Sequence, residues 1–299
     1  MQKKDRLTKN IVQFRCRHRH TAFSHPQCYM RFLNGGAPKL PKVLIFDIET
    51  SPLKAFVFQK SVWKANISAD QVISEWFMLC WSAKWLFGDV VLSDRLSGKE
   101  AKSENDSRIV KGLWTLLDEA DIIIAHNGDA FDVPNMNTRF VVHGLPPTSP
   151  YQTIDTCLVA KRQFGFTHNS LNGLANIFGF EVKLDTDFDL WKRCVDGDDT
   201  ALAYMQKYNK HDVLLLEDVY MKLRPWIKGH PNLGLYVESD EPICPNCGSD
   251  RVTMLEGKFS YTTVSKFPVF RCECGAYGRV RKSILPKDVG RNLIVGLSK

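Results

Sequence analysis

The sequence predicts an α/β domain followed by a small cysteine-bearing module, and three observations carry that reading. Between residues 42 and 227, apolar runs alternate with segments of helical periodicity, the pattern of a sheet covered by helices. Carboxylates interrupt this apolar pattern at places where a core would otherwise continue. Beyond residue 241 the pattern gives way to four cysteines in two tight pairs.

The elements follow in order. Residues 1–41 are basic and without periodicity, and end in the turn-rich run Asn34-Gly35-Gly36-Ala37-Pro38. Val43–Ile48 reads as a buried strand, and Phe77–Phe87 with Val90–Ser93 as an antiparallel pair joined at Gly88-Asp89. Ser107–Glu119 places Ile109, Leu113, Leu116 and Leu117 at helical spacing and feeds the short apolar strand Asp121–Ala125. Val133–His143 is helical, Gln152–Asp155 extended, Leu171–Phe178 a short helix, and Asp199–Leu223 a long one stopped by Pro225. Residues 228–241 form a Gly/Pro-containing linker, and 242–299 hold the cysteine module.

Composition suits a packed protein: of 299 residues, 44% are hydrophobic and 24% charged, which excludes collagen, coiled coil and wholesale disorder. No apolar run approaches the ~20 residues that span a bilayer. Met1–Arg19 is basic without the apolar stretch of a signal peptide, so a soluble intracellular protein is expected. Nine cysteines in such a chain point to thiols or metal ligands rather than disulfides.

Strand alternation puts Asp47 and Glu49 on one face at the carboxyl end of the first strand. Two neighbouring acids there repel each other and are costly to desolvate unless a cation compensates. On the long helix, the stripe Leu202, Met205, Leu216, Val219 and Leu223 is continued through its middle by Tyr208 and Asp212, so Asp212 faces inward. Asp132 ends the polar loop His126–Phe131 and is either the N-cap of the following helix or a third site carboxylate, roles that are compatible.

Asp47-x-Glu49 after an apolar strand, Ala125-His126-Asn127-Gly128 with Phe131-Asp132, and Tyr208-x-x-x-Asp212 on a late helix resemble the three motifs of the DEDD exonuclease superfamily, with the tyrosine spacing of its DEDDy subgroup. The resemblance covers about residues 42–227. The whole layout, cysteine tail included, is similar to phage-encoded stand-alone exonucleases, which would place the protein in a host cytoplasm. It implies a ribonuclease H-like fold, a mixed central sheet flanked by helices, and 3′–5′ exonuclease activity. It further implies that Asp47, Glu49 and Asp212 hold one divalent ion, that Asp47 bridges to a second, that Asp132 supports the second partly through water, and that Tyr208 orients the attacking water. The residue types agree with this independently. Hard Mg²⁺ or Mn²⁺ prefers carboxylate oxygens, and two such ions about 4 Å apart suit in-line phosphodiester hydrolysis. A tyrosine of ordinary pKa near 10 is a poor base at neutral pH, which leaves it orientation by hydrogen bond.

Cys244-Pro245-Asn246-Cys247-Gly248 and Cys272-Glu273-Cys274-Gly275 resemble the two knuckles of a zinc ribbon, although the second pair has one intervening residue instead of two. Cys16, His18 or His20, His25 and Cys28 could hold a second zinc, with a basic arm of incidental ligands as the plain alternative. Cys80, Cys157 and Cys194 read as core. Trp63, Trp76, Trp81 and Trp85 are either sheet packing or stacking platforms for unpaired bases.

Charge is segregated. Residues 1–42 carry a net +9, residues 240–299 a net +4, and residues 43–239 a net −6. Basic ends suit a polyanionic partner or are solvated tails. The expected partner is nucleic acid, single-stranded DNA 3′ ends in particular, with a polymerase or recombination protein as a further partner and no membrane. An exoribonuclease of the same fold, or a scaffold whose site has decayed and whose ribbon binds nucleic acid, are the rival readings.

Overall fold

The structure, a computed structural model, describes residues 41–58, 67–181, 184–236 and 242–296. The cluster Cys16, His18, His20, His25 and Cys28, the rest of the basic arm up to residue 40, and Trp63 lie outside the described residues. Two units are distinguished, Lys42–Met221 and the residues from Lys222 onward.

In the first unit β1 (Val43–Thr50) is central. The short strands β2 (Lys54–Ala55) and β3 (Val72–Ser74) form a separate antiparallel pair, and β4 (Met78–Trp85) and β5 (Val91–Arg95) follow as a hairpin. After the helices α1 (Gly98–Lys102) and α2 (Ser107–Asp118) come β6 (Ile122–Ala125), α3 (Asp132–Val142) and β7 (Gln152–Asp155). Helices α4 (Thr156–Gln163), α5 (Leu171–Phe178), α6 (Phe188–Val195) and α7 (Asp199–Leu223) complete the unit, with only the last two residues of α7 beyond it.

The sheet runs in the order β5-β4-β1-β6-β7. β5, β4 and β1 pair antiparallel, with β4 and β5 joined as a hairpin, and β1, β6 and β7 pair parallel, so the sheet is mixed. Alternation divides its faces. Leu44, Phe46 and Ile48 join Trp81 and Ala83 in a core with Ile109, Val110, Leu113 and Leu117 of α2 and Met136 and Phe140 of α3. The opposite face carries Asp47, Ser82 and Lys84 and is covered by α7, which is sewn to it by polar groups: Gln206 donates to Ser93, and Lys84 makes a partly buried ion pair with Glu217. Trp81 is core, its indole N–H donating to the Ile109 carbonyl at 2.8 Å, and so is no base-stacking platform. Cys80, Cys157 and Cys194 are buried.

The second unit contains the strands β8 (Val252–Thr262), β9 (Ser265–Cys272) and β10 (Tyr277–Arg279) in one antiparallel sheet, then the short α8 (Lys287–Arg291). Among the described residues no helix is long and apolar enough to cross a membrane.

Candidate functional site

The site begins where β1 outlasts its neighbour. β6 pairs with β1 only through Val43, Leu44 and Ile45 and ends at Ala125, while β1 continues to Thr50 past a bulge at Glu49/Thr50. A buried strand amide left over by such a mismatch needs an acceptor. For Ile48 that acceptor is the Asp132 carboxylate, whose Oδ1 lies 3.2 Å from the amide nitrogen. Asp132 is therefore the first residue of α3 without being its cap: Phe131 holds the N-cap position, and no side chain caps the helix.

Asp47 and Glu49 point to the same side of β1, and Asp212 descends from α7 onto it, so one oxygen of each lies within 4.8 Å of the others. Every member of the helix stripe Leu202, Met205, Tyr208, Asp212, Leu216, Val219 and Leu223 is buried, as its spacing predicted. Asp212 is 4% exposed, and Tyr208 packs with the main core, as the plain alternative for a stripe tyrosine would have it. Asp132, at 2% exposure, has its carboxyl pushed up to about 7 by burial; the Ile48 amide opposes the shift and the Asp155 charge adds to it.

Two residues that the sequence reading passed over hold this arrangement. Asn209, fully buried and one position after Tyr208, donates its side-chain N–H to Asp47 Oδ2 at 2.6 Å. It lies three residues before Asp212 on the same helix face, a spacing that could have pointed to it. Asp155, at the end of β7, accepts from Asn127 N at 3.0 Å and Asp129 N at 3.2 Å, and caps α4 through Cys157 and Leu158. It thereby fixes the loop ahead of Asp132. That loop is tight: Asn127 has a left-handed φ of 66°, and a Cβ on Gly128 would fall 2.3 Å from that of Ala125. His126 is spent on the same loop, with Nε2 donating to the Asn169 carbonyl at 2.9 Å and Nδ1 2.9 Å from Thr156 Oγ1.

In the second unit Cys244, Cys247, Cys272 and Cys274 bring four sulfurs within 4.8 Å of one another. Cys244 and Cys274 Sγ are 3.8 Å apart, and Cys247 and Cys272 Sγ 3.5 Å. Four thiolates ~2.3 Å from one zinc in a tetrahedron lie ~3.8 Å apart, close to these two separations across the pairs. Each pair turns on a glycine of left-handed φ, Gly248 at 71° and Gly275 at 89°. Hydrogen bonds from Cys244 and Cys247 hold the Cys274 thiol well below its ordinary range.

The two clusters differ in kind. The first offers only carboxylate oxygen, which fits a hard divalent ion such as Mg²⁺ or Mn²⁺, and the second only sulfur in a closed set of four, which fits zinc.

A family model described as the RNase_H superfamily matches residues 84–224, a segment that contains Asp132, Tyr208, Asn209 and Asp212 and begins after Asp47 and Glu49. Among solved structures, the family B DNA polymerase from the hyperthermophilic archaeon Pyrobaculum calidifontis matches at 17% identity and a TM-score of 0.47, over 64% of this chain. The chain spans 25% of that polymerase's length. None of the curated proteins matches.

Proposed function

We propose that this protein is a metal-dependent nuclease that removes nucleotides from the 3′ end of nucleic acid, single-stranded DNA in the first place. The observation that carries the reading is the convergence of Asp47, Glu49 and Asp212 at the free end of β1, with Asp132 held against the same strand between the first two. Three carboxylates in 4.8 Å repel one another, and a core of this kind is stable and purposeful when a cation sits among them. The match of residues 84–224 to the RNase_H superfamily supports a nuclease and leaves direction and substrate to experiment.

In this reading Asp47, Glu49 and Asp212 hold one divalent ion, with Asp47 and Asp132 serving a second. When bound, the ions supply Lewis-acid charge at the scissile phosphate and activate the attacking water. The protein's own groups do the rest. Asn209 engages one Asp47 oxygen, Oδ2, and in this reading leaves the other for the ion. Asp132 is fixed by the Ile48 amide, and Asp155 fixes the loop that delivers it. Tyr208, one helical turn from Asp212, orients water through its hydroxyl. The cysteine module holds zinc and serves as a nucleic-acid-binding appendage. The dividing lines 1–41, 42–227, 228–241 and 242–299 are retained as the proposed domain organisation.

End-labelled single-stranded DNA and RNA, incubated with the full chain in Mg²⁺, Mn²⁺ or chelator, test the reading. Metal-dependent release of mononucleotides from the 3′ end supports it, and the better of the two substrates fixes DNA or RNA. Intact substrate under every condition refutes it.

A further inference from the structure

Cross-strand partners in a sheet share a face, and the three strands of the cysteine ribbon use their two faces differently. On one, the Phe270 ring lies over Gly278, where a Cβ would come 2.2 Å from the ring, and Cys272 packs beside Cys244. That face is consumed by the ribbon's own packing. On the other, Tyr277 pairs with Arg271, and Arg279 pairs with Val269, two residues from Phe267. Here the Arg271 guanidinium lies 4.4 Å from the Tyr277 ring centre, and that of Arg279 lies 3.7 Å from the Phe267 ring centre.

Both guanidinium groups and the Tyr277 ring face outward, while the Phe267 ring is buried under Arg279. Tyr277 is 55% exposed, Arg271 and Arg279 are exposed, and neither arginine has an ion-pair partner among the described residues, whereas Arg251 nearby is paired with Glu273. Residues 242–296 carry nine Lys and Arg against four Asp and Glu. A face of flat guanidinium–aromatic stacks with uncompensated charge fits a ligand that is itself a chain of flat rings joined by anions: bases stack on the rings and guanidinium planes, and phosphates take the arginine forks. An acidic peptide would meet the charge and leave the rings unused.

We propose that the β9–β10 face of the ribbon binds single-stranded nucleic acid through Arg271, Tyr277 and Arg279, a proposal that takes the ligand class from the nuclease reading above. It makes the ribbon a base-stacking surface rather than a merely basic one.

The test is fluorescence anisotropy of labelled oligo-dT, oligo-rU and an abasic oligonucleotide of equal length. It uses the full chain carrying Asp47→Asn so that no probe is consumed, with zinc content measured for every variant. Arg271→Gln with Arg279→Gln should weaken binding at least tenfold and lower the salt slope by ~1.4, since each lost single-strand phosphate contact removes ~0.7. Tyr277→Ala should weaken oligo-dT binding about tenfold, leave the abasic probe unaffected, and be rescued by Tyr277→Phe. Should Arg279→Gln uncover Phe267 and shed zinc, Arg271→Lys reads the same contact with its charge intact: weaker binding at an unchanged slope. Zinc-retaining variants that bind as the parent does overturn the proposal. So does equal weakening for the abasic probe, which would reduce the face to charge alone. Failure of the nuclease reading is separately visible, as an absence of cleavage by the chain with Asp47 intact.

Discussion

Replacing Asn209 by alanine removes one hydrogen bond and asks what that bond is for. The amide N–H lies 2.6 Å from Asp47 Oδ2, it is fully buried, and its acceptor is a carboxylate. A hydrogen bond to a charged group contributes about 1.5–3 kcal/mol, and the Asp47 carboxylate, only half-buried, recovers part of that from water when this donor is lost. In chelator the Asn209→Ala protein should therefore unfold at lower temperature, by about 2–4 °C per kcal/mol for a unit of this size. Divalent ion should restore part of the difference by occupying the freed oxygen. Affinity should nonetheless fall, because Asp47 now samples orientations that do not face Glu49 and Asp212; losing a partner that orients a metal ligand typically costs 10–100-fold. Titration of the full chain with Mn²⁺ by calorimetry reads the affinity, and thermal melts with and without Mn²⁺ read the stability. Unchanged or tighter Mn²⁺ binding would refute the reasoning, since Asn209 would then be competing for Asp47 rather than aiming it.

The other expectations concern the site, its supports and the ribbon. Asp47→Asn should abolish cleavage and, in chelator, raise the melting temperature by relieving carboxylate repulsion; Tyr208→Phe should slow cleavage with Mn²⁺ affinity intact, and full turnover by either protein would remove that residue from the mechanism. Asp106, wholly buried, is opposed by its burial but held below the usual carboxylate range by Arg139, the Met78 amide and His143. Because its folded pKa is depressed, it stabilises the fold above the ordinary Asp pKa near 3.9, and that stability is lost as pH falls through the folded value. Asp106→Asn should therefore cost ~3–5 kcal/mol at neutral pH by stranding Arg139, with the gap to the parent narrowing in acid melts below about pH 4; a gap independent of pH would refute the assignment. Purified full chain should keep one zinc through dialysis into Mg²⁺ buffer, two if the Cys16–Cys28 region also binds, with Cys16→Ser plus Cys28→Ser removing the second; retention of none would overturn the ribbon site.

Long periodic segments were legible because burial of one stripe dictates their sequence. The long Asp199–Leu223 and the short Leu171–Phe178 have the bounds that the sequence suggested, and the five strands of the main sheet differ from expectation only at their ends, whereas β2, β3 and β10 went unread. Three of the helices that went unread are short ones whose signal is a cap rather than a stripe. Ser97-x-x-Glu100 is a capping box in full, and the Asp155 and Asp187 side chains cap α4 and α6. Asp47, Glu49 and Asp212 stood out in the sequence because acids broke an apolar pattern. Asn209 and Asp155 did not, since an amide beside a tyrosine and an acid at a strand end are ordinary until the partner, 162 or 28 residues away, is known. Polar support around a site is a tertiary property, set by which buried donor lacks an acceptor.

The same segregation of charge that marks the sequence sets a constraint on capture. Residues 43–239 carry a net −6, and three of their carboxylates crowd within 4.8 Å of one another, so this stretch repels a polyanion at long range even if bound cations offset the charge locally. The attraction has to come from residues 1–42 and 240–299, at +9 and +4. Exposed charges act over about 10 Å in 0.1 M salt and over less as salt rises, whereas a partly buried cluster is screened much less. For the full chain on single-stranded DNA, kcat/KM should thus fall steeply between 50 and 200 mM salt, each phosphate contact adding ~0.7 to the logarithmic slope, while kcat stays nearly flat. Steady-state rates at fixed Mg²⁺ across that range give both numbers. A flat kcat/KM would mean that the basic ends are solvated tails and that the acidic domain recruits its strand through ions and local contacts alone; a kcat that falls in parallel would place the salt-sensitive contacts in the chemical step itself.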